Sequence, residues 1–238
     1  MAGENQISVV STYATDRLID VTTMRILREQ KGGPAPYIVQ ALQSLGFKPK
    51  VYTAEEMLVE ILVDNNDEFG KIHPVKTKTK LPNLETPVAI VSTLLDEWDL
   101  SRASEYRGKL FVDIQGYVRD GSAFGKKKAW EDIKNLAPSV FCLKGNNVEI
   151  DMLPKEVASG QSINRMLVVT KDSEGVEIHH KGQRFDYAPK QIVHPPHTIG
   201  AGDTWFANFV AKFIETEDIN QSAEFTLDKT SEFLGNIK

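Results

Sequence analysis

Short runs of apolar, mostly β-branched residues recur along this chain, separated by stretches whose apolar positions fall at helical spacing. Ile7–Val10, Val88–Val91, Leu110–Ile114, Ser139–Leu143 and Met166–Thr170 read as strands buried on both faces. Pro34–Leu45 reads as a helix, with Pro34 and Pro36 tolerated in its first turn and Gly46 as its stop. Asp96–Tyr106 and Ile219–Leu234 read as further helices. Phe206, Phe209, Val210, Phe213 and Ile214 give another helix one apolar, core-facing side. This β-α-β-α rhythm predicts an α/β fold, a mostly parallel sheet covered by helices on both faces, with ligands at the carboxyl ends of the strands.

Two stretches break the rhythm. Met57–Val63 and Lys71–Lys80 read as strands around the polar turn 64–70, too polar for a core and therefore a flap outside the main sheet. Gly175–His180 and Gln183–Tyr187 around Lys181-Gly182 read as a hairpin.

Composition narrows the function classes. With 238 residues, 41% hydrophobic and 26% charged, the chain suits one α/β domain with a sizeable core. A net charge of −5 argues against general nucleic-acid binding, and Lys126-Lys127-Lys128 reads as the solvated start of a helix. The single cysteine, Cys142, lies in an apolar run and reads as a buried core thiol in a reducing compartment. No stretch approaches the ~20 apolar residues of a membrane span, and Met1–Asn5 carries no signal-peptide pattern, so the expectation is a cytoplasmic protein with no membrane partner.

The chemistry concentrates at His197–Phe213. A turn of small residues, Thr198-Ile199-Gly200-Ala201-Gly202, runs into the amphipathic helix, whose first turn offers unpaired N–H groups and the positive end of the helix dipole. Asp203 sits in that same turn. A carboxylate beside an anion cradle is useful where it has a separate task, such as taking a proton. Phosphoryl transfer to a hydroxyl needs both parts. Ordinary turn and dipole chemistry accounts for these residues about equally well when they are taken alone. A dinucleotide fingerprint fails because its third glycine would fall at Trp205, and a Walker P-loop fails because no Gly-Lys-Ser/Thr follows Gly202.

Four segments, in order, resemble the ribokinase-like, or PfkB, family of sugar and nucleoside kinases. They are Gly32-Gly33-Pro34 through Gly46, Asp113-Ile114-Gln115-Gly116-Tyr117-Val118-Arg119, Asn146-Asn147-Val148-Glu149, and Gly200-Ala201-Gly202-Asp203. The resemblance implies a three-layer α/β/α sandwich with residues 57–80 as a β-flap lid, within one kinase domain. It implies transfer of the γ-phosphoryl of ATP, with Mg²⁺, to a hydroxyl of a small sugar or polyol. Asp203 would be the base, and Gly200, Ala201 and Gly202 the anion hole. Glu149 and Asn146 would organise the metal, which suits the preference of Mg²⁺ for oxygen ligands. Thr170, Asp172, Gly175 and Thr198, with Asn146, would hold the nucleotide. Asp172 stands where relatives carry glycine. Asp16, at the end of the first strand, would hold the acceptor with Gly32, Gly33 and Arg119. The chain is shorter than its relatives, as though a strand-helix-strand section were missing after Val51-Tyr52-Thr53. That shortening and Asp172 leave a second expectation, a weak or inactive sugar- or nucleotide-binding regulatory protein on the same fold. The flap also offers strand edges through which a homodimer would form.

Overall fold

The computed structural model describes residues 6–64, 67–122, 125–195 and 197–237. Met1–Asn5, and Asn65 and Asn66 of the expected polar turn, lie outside them. In chain order the first elements are β1 (Gln6–Ser11), β2 (Ala14–Asp20), β3 (Ile26–Gly32), α1 (Pro34–Ser44), β4 (Lys48–Thr53), β5 (Met57–Asp64) and β6 (Asp67–Ile72). There follow β7 (Thr79–Lys80), β8 (Val88–Val91), β9 (Trp98–Asp99), β10 (Lys109–Asp113), α2 (Ile133–Leu136), β11 (Cys142–Asn146) and α3 (Asn147–Ile150). The chain continues through α4 (Lys155–Asn164), β12 (Met166–Thr170), β13 (Val176–His180), β14 (Gln183–Tyr187), α5 (Ala201–Thr216) and α6 (Ile219–Gly235).

The main sheet has the order β14-β13-β12-β11-β10-β8-β1-β4. Its pairs from β4 to β12 are parallel, and β13 and β14 add an antiparallel edge. Alternation along each strand feeds two cores. Ile7, Val9, Phe111, Cys142, Met166 and Val168 face α1, α5 and α6. Val10, Leu110, Val112, Leu143, Leu167 and Val169 face the other layer, where Trp130, Ile133, Leu153 and Val157 pack. A strand buried on both faces has no polar side to show water, which is why these runs are almost unbroken apolar sequence. Cys142 is buried as expected, and burial pushes its thiol well above the ordinary value.

The flap is larger than its sequence suggests. It is a separate four-stranded sheet, β3-β2-β5-β6, in which β2 and β5 run parallel. Two of its strands, β2 and β3, carry too many charges to stand out in the hydropathy pattern. Nor are the flap strands wholly polar. Met57, Val59, Ile61 and Ile72 are buried with Ala14, and Leu94 and Leu95 pack against them. One face of the flap is therefore a small core of its own. The second expected strand, Lys71–Lys80, is divided: β6 begins at Asp67, and β7 pairs instead with β9.

Three further expectations need correction. Asp96–Tyr106 is not an α-helix; it holds β9 and a 3₁₀ turn at Ala103–Glu105. Its acidic side chains bond nearby backbone and so compete with helical pairing. The fully buried Glu97 accepts from the N–H groups of Leu94 and Leu95, and Asp99 accepts from Ser101. The fourth strand begins at Cys142 rather than Ser139, because Ala137–Ser139 closes a 3₁₀ turn around Pro138. Nor does a helix begin at Lys126-Lys127-Lys128. This stretch returns against Val118–Asp120, and each lysine has its own acidic partner: Asp120, Glu149 and Asp96.

Glu97 thus orders the loop between β8 and β9 from within. Glu97→Ala should destabilise the chain by about 1–3 kcal/mol, because two part-buried donors lose their acceptor. The urea midpoint measures this, and an unchanged midpoint would refute the role.

Candidate active site

The carboxyl ends of β1, β8, β10, β11 and β12 open on the side where the α5 N-terminus lies. Gly200 precedes α5 with a left-handed φ of 81°, and any Cβ there would fall 2.3 Å from the Tyr37 ring. Only glycine allows that turn to lie flat on Tyr37. The N–H of Ala201 is already bonded to the Thr198 carbonyl. Among the described hydrogen bonds none takes the N–H of Gly200, Gly202 or Asp203, so of the turn's donors these three are open to an anion and Ala201 is not.

Two cavities meet at this turn. One is lined by Asp16, Gly33, Arg119, Gly200 and Asp203, with Val59 and Ile61 of the flap above, and measures about 310 Å³. The other is lined by Thr170, Asp172, Gly175, Ala201, Trp205 and Leu227. Both share Thr198 and Gly202. Asp16, Gly33 and Arg119, expected to hold an acceptor, and Thr170, Asp172 and Gly175, expected to hold a nucleotide, therefore fall into adjacent chambers, with Asp203 in the wall of the first. Gly32 and Asn146 line neither.

Asp16 does not end the first strand. It lies on β2 of the flap sheet, paired in register with Gln30. Its carboxylate rests against the Cα of Gly32, where a Cβ would come within 2.1 Å of Oδ2. It takes no hydrogen bond from a described side chain, and burial raises its pKa. A carboxylate held in a cavity without protein donors suits two hydroxyl groups. Arg119, expected beside the acceptor, donates from Nη1 to the Leu94 carbonyl at 2.8 Å and lines the first chamber.

A network of charges lies beneath the turn. Lys144 Nζ donates to Asp113 Oδ2 at 2.7 Å, and both side chains are almost wholly buried. The same ammonium points at Gly202, 3.2 Å from where a Cβ would stand. Burial works to discharge Lys144, but Asp113, Asp203 and Glu149 outweigh it and raise its pKa, so it stays protonated. Ser92 Oγ donates to Asp203 Oδ1 at 3.0 Å. Burial, reinforced by the Asp113 charge, lifts Asp203 to about 6, against the pull of Lys144, Ser92 and Arg119. Sequence reasoning placed Asp113 in a motif without giving it a role, and passed over Ser92 and Lys144. The available signal was their place: polar or charged residues ending otherwise apolar strands of a parallel sheet, where ligands bind.

Asn146 and Glu149 satisfy each other. Asn146 caps α3 by accepting from the Glu149 N–H, and Glu149 Oε2 accepts from the Asn146 N–H at 3.0 Å. Glu149 Oε1 takes Lys127 Nζ at 2.7 Å. Burial would raise the Glu149 carboxyl, but the bonds from Lys127 and Asn146 and the Lys127 and Lys144 charges hold it low. Every carboxylate oxygen of this expected magnesium pair is occupied. Among the described residues no cluster of three or more His, Cys, Asp or Glu side chains could hold a metal ion. The residues as arranged do not fit a directly held Mg²⁺. Asp172 meanwhile takes a left-handed φ of 47°, a conformation glycine adopts freely and aspartate tolerates.

Residues 120–227 match the family model described as pfkB family carbohydrate kinase. Solved structures agree over nearly the whole chain. A nucleoside kinase of Methanocaldococcus jannaschii, described as an archaeal member of the ribokinase family, superposes with a TM-score of 0.79 at 18% identity, covering 97% of this chain and 92% of that one. This chain has the ribokinase fold. A pyrophosphate-dependent kinase of the ribokinase family gives a TM-score of 0.73 at 14% identity, with 97% and 96% coverage. Ribokinase of Thermotoga maritima gives 0.68 at 14%, with 98% and 93%. No curated protein sequence matches the chain significantly. The four-motif resemblance is thus supported by a family match that contains two of the motifs and by a ribokinase fold that spans all four. No helix among the described residues is long and apolar enough to cross a membrane.

The raised Asp203 pKa has a measurable consequence. Below pH ~4 the carboxyl is protonated whether the chain is folded or unfolded; above about 6 the folded protein bears the full cost of ionising it. Stability from this group is therefore lost as pH rises from ~4 to 6. Asp203→Asn has no such loss, so its stability relative to wild type should grow by on the order of 2 kcal/mol across that window. Urea unfolding at both ends of the window tests it; a constant difference would contradict the burial argument.

Proposed function

We propose that this chain is an ATP-dependent phosphotransferase that moves the γ-phosphoryl group to a hydroxyl of a small sugar or polyol. The observation that carries this reading is the position of Asp203. A carboxylate with a pKa raised to about 6 stands in the wall of one of two chambers that share the N-terminal turn of α5. A base poised near neutral pH beside preorganised donors is what hydroxyl phosphorylation requires.

The acceptor lies between the flap and the sheet ends, with Asp16 accepting from its hydroxyl groups and Arg119 beside it. One hydroxyl faces Asp203, which takes its proton as the oxygen attacks. The N–H groups of Gly202 and Asp203 and the Lys144 ammonium receive the charge of the moving phosphoryl group. The nucleotide occupies the second chamber, whose Trp205, Leu227 and Ile192 supply apolar surface that pyrophosphate has no use for. No protein ligand is assigned to magnesium. The flap at 57–80, together with β2 and β3, acts as the lid that keeps water from the acceptor site and belongs to the one kinase domain. Asp16 and the buried flap residues Val59 and Ile61 support this reading by facing the chamber from above.

ADP release from ATP and Mg²⁺ should be measured across pentoses, hexoses, sugar acids, inositol and nucleosides. One acceptor should stimulate release, and Asp203→Asn should lower kcat by about 10²–10⁴-fold. In wild type the rate should rise with pH through about 6, as Asp203 loses its proton. Silence with every acceptor, with ATP or a sugar still stabilising the fold, would favour the regulatory binding protein instead.

The free edge of the flap supports a homodimer. Strand β3 ends the four-stranded sheet, and Ile26 and Leu27, with Met24 in the preceding turn, are exposed there. An edge strand with exposed apolar side chains is a surface for pairing with a second copy. Light scattering should report a dimer for wild type and a monomer for Leu27→Glu; a monomeric wild type would end this reading.

A further inference from the structure

We infer that the Lys127 ammonium is a built-in cation that fills the Glu149 carboxylate site and keeps a divalent metal from binding there until Lys127 is displaced or removed. The inference takes from the proposed reaction only that phosphates arrive nearby; its evidence is the arrangement of side chains around Glu149.

Glu149 is buried at the start of α3, beyond the carboxyl end of β11. One of its oxygens is committed to the Asn146 N–H. The other is the only one left to a cation, and Lys127 Nζ sits 2.7 Å from it with just 18% of its side chain exposed. A compact ammonium at that distance satisfies the charge much as a hard cation would, and its dehydration is part of folding, whereas an ion from solution must be dehydrated as it binds.

Lys127 is not there by chance rotation of a long side chain. The Asp120 N–H donates to the Lys126 carbonyl and the Lys128 N–H to the Val118 carbonyl, so the backbone on either side of Lys127 is fixed. Lys126 is tied to Asp120 at 3.0 Å and Lys128 to Asp96 at 3.2 Å. With both neighbours anchored, the fixed backbone presents Lys127 to Glu149. The charges nearby agree. Glu149 is already paired with Lys127, and Lys144 and Arg119 stand close enough to act on its charge. A divalent ion added beside them would bring two more positive charges into a partly buried site, and removing Lys127 would leave Glu149 buried without its ion pair.

The probe is Mn²⁺ alone, followed by electron paramagnetic resonance and calorimetry on the full chain. Wild type should leave Mn²⁺ free, and millimolar Mg²⁺ should leave its melting temperature where EDTA leaves it. Lys127→Gln should bind one Mn²⁺, at least about tenfold more tightly than wild type. The double variant Lys127→Gln/Glu149→Gln should lose that binding again, which assigns it to Glu149. Wild type binding Mn²⁺ as tightly as Lys127→Gln would overturn the inference, and so would no binding by either. If Lys127→Gln does not fold in metal-free buffer, refolding with and without Mn²⁺ decides: rescue by the ion supports a vacated cation site, and failure of rescue counts against one. None of these readouts is turnover, so the inference and the proposed reaction can fail separately.

Discussion

Asp113 and Lys144 face each other in register on the neighbouring parallel strands β10 and β11, and their buried 2.7 Å ion pair is what the rest of the site depends on. Such a pair is poor value as a source of stability. Taking two charges out of water costs several kcal/mol each, and an apolar pair of similar volume often does as well. What the pair provides is an ammonium fixed against Gly202 under the first turn of α5, with no freedom to swing away. The carboxylate holding it is in turn close enough to raise Asp203. One interaction thus fixes a positive charge beneath the turn and sets two opposing charges on Asp203, Asp113 raising its pKa and Lys144 lowering it, on top of the larger effect of burial. Leaving either partner alone would bury an uncompensated charge.

The sheet explains why these groups converge. Strands with apolar residues on both faces leave polar side chains only at their ends, and parallel pairing puts the carboxyl ends of β1, β8, β10, β11 and β12 on one side. Ser92, Asp113, Lys144 and Asn146 fall at or just beyond those ends. Helix α5 is buried along most of its length, so its N-terminus cannot tilt away from them. The flap then closes the far side with a different kind of sheet, half apolar toward the chamber and charged outward. Its inner residues are set by a two-residue period, which is how Asp16 comes to share a face with the apolar residues above the cavity.

Much of this was legible in the chain itself. Strands at Val88–Val91 and Met166–Thr170, the helix beginning at Pro34, and the turn before α5 all follow from strong local signals: a run apolar on both faces, prolines in a first turn, glycine where φ must be positive. What escaped had a non-local cause. Strands β2 and β3 exist because β5 pairs with them, and their own residues carry too much charge to announce a strand. Asp96–Tyr106 has helical spacing, but Glu97 finds better partners in the backbone it has just passed. Lys127 looked like one of three solvated lysines, since nothing in a run of like charges says that each will meet a separate acid. The candidate site was legible as residue types, with Asp203 in a turn of unpaired N–H groups, and illegible as a network, because Lys144 and Ser92 reach that turn only through the sheet.

The apparent contradiction of that turn, a carboxylate among groups that attract anions, is resolved by the same network. Asp203 and an incoming phosphate would repel each other, and repulsion between like charges raises a carboxyl's affinity for a proton. Asp203 already lies near 6 before any anion arrives. Bringing phosphate close pushes it further toward protonation, which favours taking a proton from a hydroxyl held on its other side. Lys144 limits the effect, because it attracts both anions and pulls the Asp203 pKa down. Without the ammonium that pKa would rise further; with a second cation as close it would fall toward the ordinary carboxylate range. The turn therefore needs both signs of charge, and the ion pair beneath it sets their balance.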